Sequence, residues 1–345
     1  MTRRLLLLTL AAAPISIGLH YLAGVPATAE FVLAALALVP LAWLIGEATE
    51  HAAEHTGPGV GGFLNATFGN APELIIALLA VHQGLTEVVR GSLTGSVVSN
   101  LLLVLGAALV AGGRGRLDRY SSFLSFGLVA FATALFLVPS VPGWEGDPDR
   151  RSLAVLSVPV SVGVLVAYVA VTWYSLRRHR LLHVASGEEI RAWSLPAALA
   201  ALAAATVATA LVAEVLVGSL EAFAEKAGLT EFFVAAVIVA IVGNAAEHGG
   251  AIVVAFRGKI PLAAEIALAS AAQVAVFLVP AVALLSWLLE PLALSFRPVE
   301  IGALGGSVAY TALVLFHGRS SRLRGALLLA GFAVVVGAFF LAGDR

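Results

Sequence analysis

The sequence predicts an all-α polytopic membrane protein of eleven transmembrane helices: one extra N-terminal helix, then two inverted five-helix repeats. Three observations carry this reading. Of the 345 residues, 60% are hydrophobic and 12% charged, whereas about a quarter of a soluble domain is charged. Apolar windows long enough to cross a bilayer, about 20 residues each, recur along the whole chain. One short motif occurs twice inside such windows, as Gly69-Asn70-Ala71-Pro72-Glu73 and as Gly243-Asn244-Ala245-Ala246-Glu247.

The first window, centred near Leu10, follows Arg3 and Arg4 and precedes Ala27-Thr28-Ala29. A secretory leader has similar flanks, but this apolar run is long for one. Residues 1–26 are therefore read as the extra helix. The first repeat, 27–176, holds windows centred near Leu38, Ile75, Leu102, Val129 and Val162. The polar stretch 177–192 is too short to fold alone and reads as a cytoplasmic linker. The second repeat, 193–345, holds windows near Ala205, Val239, Val276, Leu304 and Val334. Connections are short and rich in Gly, Pro and charge, which leaves no room for a separate soluble domain. Trp43, Trp144, Trp173, Trp193 and Trp287 fall mostly near window ends, as interfacial anchors do.

Charge tests the count. With eleven spans and a cytoplasmic N-terminus, 14 of the 20 Lys and Arg lie inside, at Arg3, Arg4 and in the connections 114–119, 177–191, 257–259 and 319–324. Arg90, Arg150, Arg151, Lys226, Arg297 and Arg345 lie outside. This bias follows the positive-inside rule. The expected location is thus an integral, multi-pass protein of a bacterial inner membrane. Cysteine is absent, which excludes disulfides and thiolate metal sites. No basic run could track a phosphate backbone, so nucleic acid is not an expected partner. The lipid bilayer is one, and a homo-oligomer is compatible with the chain.

The two motifs are 174 residues apart (243 − 69). The same offset maps Ser96 onto Ser270 and Ser99 onto Gln273. Upstream the offset is 171, mapping Glu50 onto Glu221, Glu54 onto Glu225 and Gly57 onto Gly228. A unit of five helices is odd, so the second copy enters the membrane from the opposite side. The motifs then face each other near the midplane, as in transporters built from inverted repeats.

Gly-Asn followed by Pro72 is poor helix sequence, and a break frees carbonyl oxygens. Such backbone is tolerated at membrane depth where it lines a polar cavity. A carboxylate there costs about 2.5–3.5 kcal/mol on insertion scales, which marks Glu73 and Glu247 as functional candidates. One buried Glu can be structural, held by Ser and Asn. Two at repeat-related positions, each after Gly-Asn, are hard to explain that way. Asn70, Asn244, Ser96, Ser99, Asn100, Ser270 and Gln273 add neutral oxygens. The sum is an oxygen cage with two negative charges, suited to a hard divalent cation such as calcium. Softer metals prefer Cys or several His.

The segments Gly61-Gly62-Phe63-Leu64-Asn65-Ala66-Thr67-Phe68-Gly69-Asn70-Ala71-Pro72-Glu73-Leu74 and Ile241-Val242-Gly243-Asn244-Ala245-Ala246-Glu247-His248 closely resemble the two signature regions of calcium/proton exchangers, the CAX branch of the calcium/cation antiporter superfamily. The likeness covers nearly the whole chain. It implies that Glu73 and Glu247 are the central cation ligands and proton carriers. It implies that Asn70 and Asn244, with carbonyls near Gly69 and Gly243, help bind the cation, and that Ser96, Asn100, Ser270 and Gln273 line the site or its access path. Calcium and protons are then the transported partners, and no cofactor is implied. The family often has Gly at the position of Ser99 and Ser at that of Ala271. Only Glu188 and Glu189 stand where some relatives carry a long acidic segment. The implied function is export of cytoplasmic calcium in exchange for protons. The alternative is a sodium-coupled or broader divalent-cation exchanger on the same scaffold; a channel is a further rival.

Glu50, His51, Glu54 and His55 end the second window. His51-Ala52-Ala53-Glu54-His55 also fits the H-x-x-E-H zinc-peptidase pattern, but no third ligand is evident. Glu50 and Glu54 read better as a cytoplasmic cation entrance, with Glu221 and Glu225 mirroring it outside. A solvated helix end is the plain alternative. His248, beside Glu247, is a candidate proton relay or a structural histidine. His82, Glu47, Glu214 and Glu265 are further polar residues in the windows, with no assigned role.

Overall fold

A computed structural model describes residues 9–180 and 193–343, with side chains described except at 57–63, 65–66 and 175–180. Arg3, Arg4, Glu188, Glu189, Arg191 and Arg345 lie outside the described residues, as does most of the 177–192 linker.

Local chemistry sets most boundaries. Helix α1 (Ala12–Ala23) stops at Gly24, whose left-handed φ of 57° suits a residue without a β-carbon. α2 is helical over Ala27–Phe68, and its candidate span ends at Thr56, just after Glu50 to His55, where the sequence ends the second window. α3 (Ala71–His82) begins after Asn70, with Pro72 in its first turn. There the missing N–H costs no intrahelical bond. α4 (Thr86–Gly112) contains a π-helical stretch, Ser99–Val104. α5 (Arg119–Gly143) is capped by the Asp118 carboxylate, which accepts from the N–H groups of Tyr120 and Ser121. α6 (Arg151–Arg180) follows.

The second half comprises α7 (Leu195–Gly218), the short α8 (Leu220–Ala227), α9 (Glu231–Gly243), α10 (Ala245–Phe256), α11 (Ile260–Leu288), α12 (Pro298–Leu315) and α13 (Arg322–Ala342). α8 and α9 meet at 109°, around Gly228 in the left-handed region and the Thr230 cap. α9 contains a π stretch at Val234–Val239, and α11 a third, Val274–Leu278, at the position that the 174-residue offset assigns to the first, within a residue. π segments recur at functional sites because one extra residue redirects a helix face.

Among the described residues, eight helices are long and apolar enough to cross a membrane, nine if the bent α8–α9 pair is one span; α1, α3 and α10 are shorter apolar helices. The departure from all-helical structure is a two-residue antiparallel ladder, β1 (Gly115–Arg116) against β2 (Arg319–Ser320).

α4 is the central helix, with 83% of its apolar window buried, against 17% for α13. It packs tightly on α9: a β-carbon on Gly95 would overlap the carbonyl of Ala236. Connections cluster as alternating spans require. The ladder joins loops 113–118 and 316–321, both expected inside, and Ile260 packs on Gly115 beside it. At the other end Arg90 binds Asp149 and the carbonyl of Ala293. Trp144 donates to the carbonyl of Phe296, and Arg297 to those of Ala342 and Gly343. All of these belong to connections or helix ends expected outside.

Candidate cation-binding site

The motif breaks the helix in both halves. Asn70 (φ −101°, ψ 16°) separates α2 from α3, and Asn244 (φ −88°, ψ 9°) separates α9 from α10. The same sequence thus produces the same backbone. Each break puts its glutamate in the first turn of the following half-helix. Unpaired N–H groups and the helix dipole favour negative charge there.

The two halves interlock at the breaks. Asn70 Nδ2 donates to Gln273 Oε1 on α11 at 3.5 Å. Asn100 Nδ2 on α4 donates to Asn244 Oδ1 at 3.4 Å. Each motif asparagine therefore meets an amide of the opposite half. The amides sit one register position apart, because the repeat offset matches Gln273 with Ser99 and Asn100 with Val274. The serines divide similarly. Asn244 Nδ2 donates to Ser96 Oγ at 2.8 Å and to the Ala240 carbonyl at 3.0 Å. Ser270, the counterpart of Ser96, instead donates to Glu247 Oε2. Gln273 reaches Asn70, which leaves Ser270 for the carboxylate. Ser99 bonds the Ser96 carbonyl at 3.1 Å, within its own helix.

Glu73 crosses to the other half as well. A β-carbon on Gly243 would stand 3.1 Å from Glu73 Cγ and 3.9 Å from its Oε1. A side chain at Gly243 would press on Glu73 at Cγ. Glu73 Oε2 and Asn100 Oδ1 are buried with no hydrogen-bond partner among the described residues. Buried acceptors are normally satisfied, so these oxygens are open to a cation or a proton.

A cavity of about 640 Å³ leads to this point from one side, lined by Trp43, Gly46, Glu47, Glu50, His51, Glu54, Gly69, Ala246 and Glu247. Glu50 and Glu54 thus share one vestibule with Glu247 and Gly69. His51 stands 4.0 Å from Glu47, 3.8 Å from Glu54, and stacks on Trp193. Glu73 borders a separate small pocket of about 10 Å³ with Ser92, Ser96, Leu93 and Val239. Glu221 and Glu225 lie exposed on α8 and are not brought to the centre. His248 is buried beside Glu247, its Nε2 without a hydrogen-bond partner among the described residues. No group of three or more His, Cys, Asp or Glu suited to a metal ion occurs among the described residues. The peptidase pattern at His51 therefore gains no ligand set there.

Sequence reasoning overlooked Ser92 in the Glu73 pocket and a buried polar cluster of Arg90, Thr94 and Glu300. Arg90 and Glu300 are charged residues inside or at the edge of apolar windows, which is the signal that could have found them.

The family described as sodium/calcium exchanger protein matches residues 27–177 and 197–341. A "Ca(2+)/H(+) antiporter" of Synechocystis sp. is 36% identical over 368 residues, covering 98% of this chain and 97% of its own. "Ca(2+)/H(+) antiporter ChaA" of Bacillus subtilis is 36% identical over 353 residues, covering 99% and 100%. The solved structure of native YfkE superposes with a TM-score of 0.83 at 34% identity, covering 97% of this chain and 99% of its own. The crystal structure of the H+/Ca2+ exchanger CAX shares the fold, with a TM-score of 0.72 at 16% identity over 99% of this chain and 92% of its own. The chain belongs to the calcium/proton exchanger branch of the sodium/calcium exchanger family. It is a multi-pass integral membrane protein of a transporter family, not an enzyme.

Gly243→Ala tests the interlock. The added methyl group would press on Glu73 at Cγ and should weaken binding of a divalent cation such as calcium by up to about tenfold, or 1.4 kcal/mol. Calorimetric titration of the purified protein measures this; unchanged affinity would show that cation binding does not depend on the space at Gly243.

Proposed function

We propose that the protein is a secondary active antiporter that exports cytoplasmic calcium in exchange for protons by alternating access around Glu73 and Glu247. The observation that carries this reading is the interlock of two repeat-related half-helices. Each contributes one carboxylate, and the Glu73 side chain extends to Gly243 of the opposite half. The similarity to calcium/proton antiporters along the full chain supports the ion pair.

Eleven spans follow if the span in α2 ends at Thr56 and the remainder to Phe68 is read as the half-helix leading to the first break. α3 then completes a third, broken span, α9 and α10 together form the eighth, and α1 is the first. Sixteen residues of connection and helix end, 177–192, then lie in the cytoplasm with the N-terminus. The vestibule at Glu50 and Glu54 faces the same side, which makes this the cytoplasm-facing state. Asn70, Asn244, Ser96, Asn100, Ser270, Gln273 and the carbonyls near Gly69 and Gly243 complete the cation's oxygen shell. His248 is placed to pass protons to or from Glu247.

The exchange rule follows from charge. One divalent cation balances two carboxylates, and two protons neutralise the same pair. The empty site carries two negative charges, and moving these through a low-dielectric barrier is unfavourable. Only the loaded forms change orientation, which couples the two fluxes.

Purified protein in liposomes tests this. Calcium uptake should follow an imposed pH gradient and ignore a sodium gradient. Glu73→Gln or Glu247→Gln should reduce flux by at least about a hundredfold, because each removes a ligand needed in every step. Uptake driven by sodium would favour the sodium-coupled alternative, and uptake without any counter-ion a channel. Near-normal flux in either variant would remove the two-carboxylate mechanism.

The vestibule has its own test. Glu50→Gln with Glu54→Gln should raise the half-saturating calcium concentration on the cytoplasmic face and spare the maximal rate. The effect should shrink at high salt, where charges are screened within about 8 Å or less. Oriented vesicles read the sidedness; loss of maximal rate alone would return these residues to a solvated helix end.

A further inference from the structure

Three consecutive residues of α4 each hold a different element. Thr94 Oγ1 donates to Glu300 Oε1 of α12 at 3.2 Å. Gly95 lies against the backbone of α9, with no space for a β-carbon beside Ala236. Ser96 Oγ accepts from Asn244 Nδ2 at 2.8 Å. All three positions are buried or without a side chain, so small axial shifts of α4 have nowhere to be absorbed.

Glu300 is itself immobilised. It is fully buried, its Oε2 accepts the backbone N–H of Arg297 at 2.7 Å, and Arg90 and Arg297 supply the positive charge around it. Arg90, only 1% exposed, is held in turn by both Asp149 oxygens at 2.6 and 3.3 Å and by the Ala293 carbonyl at 3.3 Å. Arg297 binds the carbonyls that end α13 and lies over the Phe232 ring of α9 at 4.6 Å. The carboxylate thus ties α4 to a rigid frame.

The frame has no counterpart in the other repeat. The 174-residue offset places Ala264 opposite Arg90, Leu268 opposite Thr94 and Phe126 opposite Glu300. Yet Ser96 and Ser270 are the paired residues that face the site. One is set by a polar bond two residues away; the other is set by Glu247 itself. A hydroxyl two positions from Ser96 on a rigid helix fixes the depth of Ser96. Ser96 in turn fixes the Asn244 amide, whose oxygen faces Asn100.

We propose that Thr94 and Glu300 are positioning residues for the cation site. Their hydrogen bond sets the axial register of α4 and, through Ser96, the orientation of Asn244. The proposal rests on the reading of Asn244 and the two glutamates as the site.

Thr94→Val removes the hydroxyl while keeping shape. It should raise the calcium concentration for half-maximal binding by about threefold or more, in the range seen for members of one hydrogen-bond network. Thr94→Ser should restore it. In a Ser96→Ala background Thr94→Val should add nothing further, because the route through Ser96 is already cut. Thr94→Ala carries the comparison if Thr94→Val does not fold. Unchanged affinity with a lowered melting temperature would make the bond structural only and overturn the proposal. So would an effect that adds fully to that of Ser96→Ala. Glu73→Gln measured beside these separates the two readings. If it abolishes binding while Thr94→Val does not alter it, the site stands and the positioning role falls.

Discussion

Two carboxylates, Glu73 and Glu247, in the first turns of short apolar half-helices are the constraint around which the proposed site is built. A charge there is unfavourable by several kcal/mol unless oxygens, dipoles or counter-ions compensate it. The fold supplies compensation by breaking a helix in each half. The break places Glu73 and Glu247 in first turns, where the helix dipole favours negative charge. It also frees the Asn70 and Asn244 side chains to reach across. Gly243 then serves two purposes, loosening the helix end and leaving the volume that Glu73 fills.

The surroundings of the two carboxylates differ, although the sequence around them is duplicated. Glu247 borders the wide vestibule and accepts from Ser270; Glu73 borders a much smaller pocket. An inverted repeat with identical halves would have equal surroundings in a symmetric, occluded state. On the proposed reading, that difference corresponds to a state open to one side only. Substitutions off the axis, Gln273 for Ser99 and Val274 for Asn100, make the halves inequivalent even at the centre.

Much of this was legible before any coordinates. The duplicated Gly-Asn-Ala-X-Glu motif located both breaks, since Gly and Pro beside a polar pair are incompatible with an unbroken helix. The offset of 174 paired Ser96 with Ser270, and both proved to contact site residues. Connections assigned to one side by their arginines are joined in space. Other features left no local signal. π segments at Ser99–Val104 and Val274–Leu278 depend on packing rather than on a residue pattern. Partners such as Thr94 and Glu300 are 206 residues apart and can be joined only by the fold.

The central claim is that protons and calcium occupy the same two carboxylates in turn. Competition of that kind means that calcium binding releases protons. Calorimetry of calcium binding in buffers of different ionisation enthalpy counts them. The account predicts affinity that falls as pH falls, with release approaching about two protons per calcium at acidic pH. It also predicts about one for any residual binding in Glu73→Gln. Calcium binding with no proton release, and with affinity unchanged across the acidic range, would contradict it.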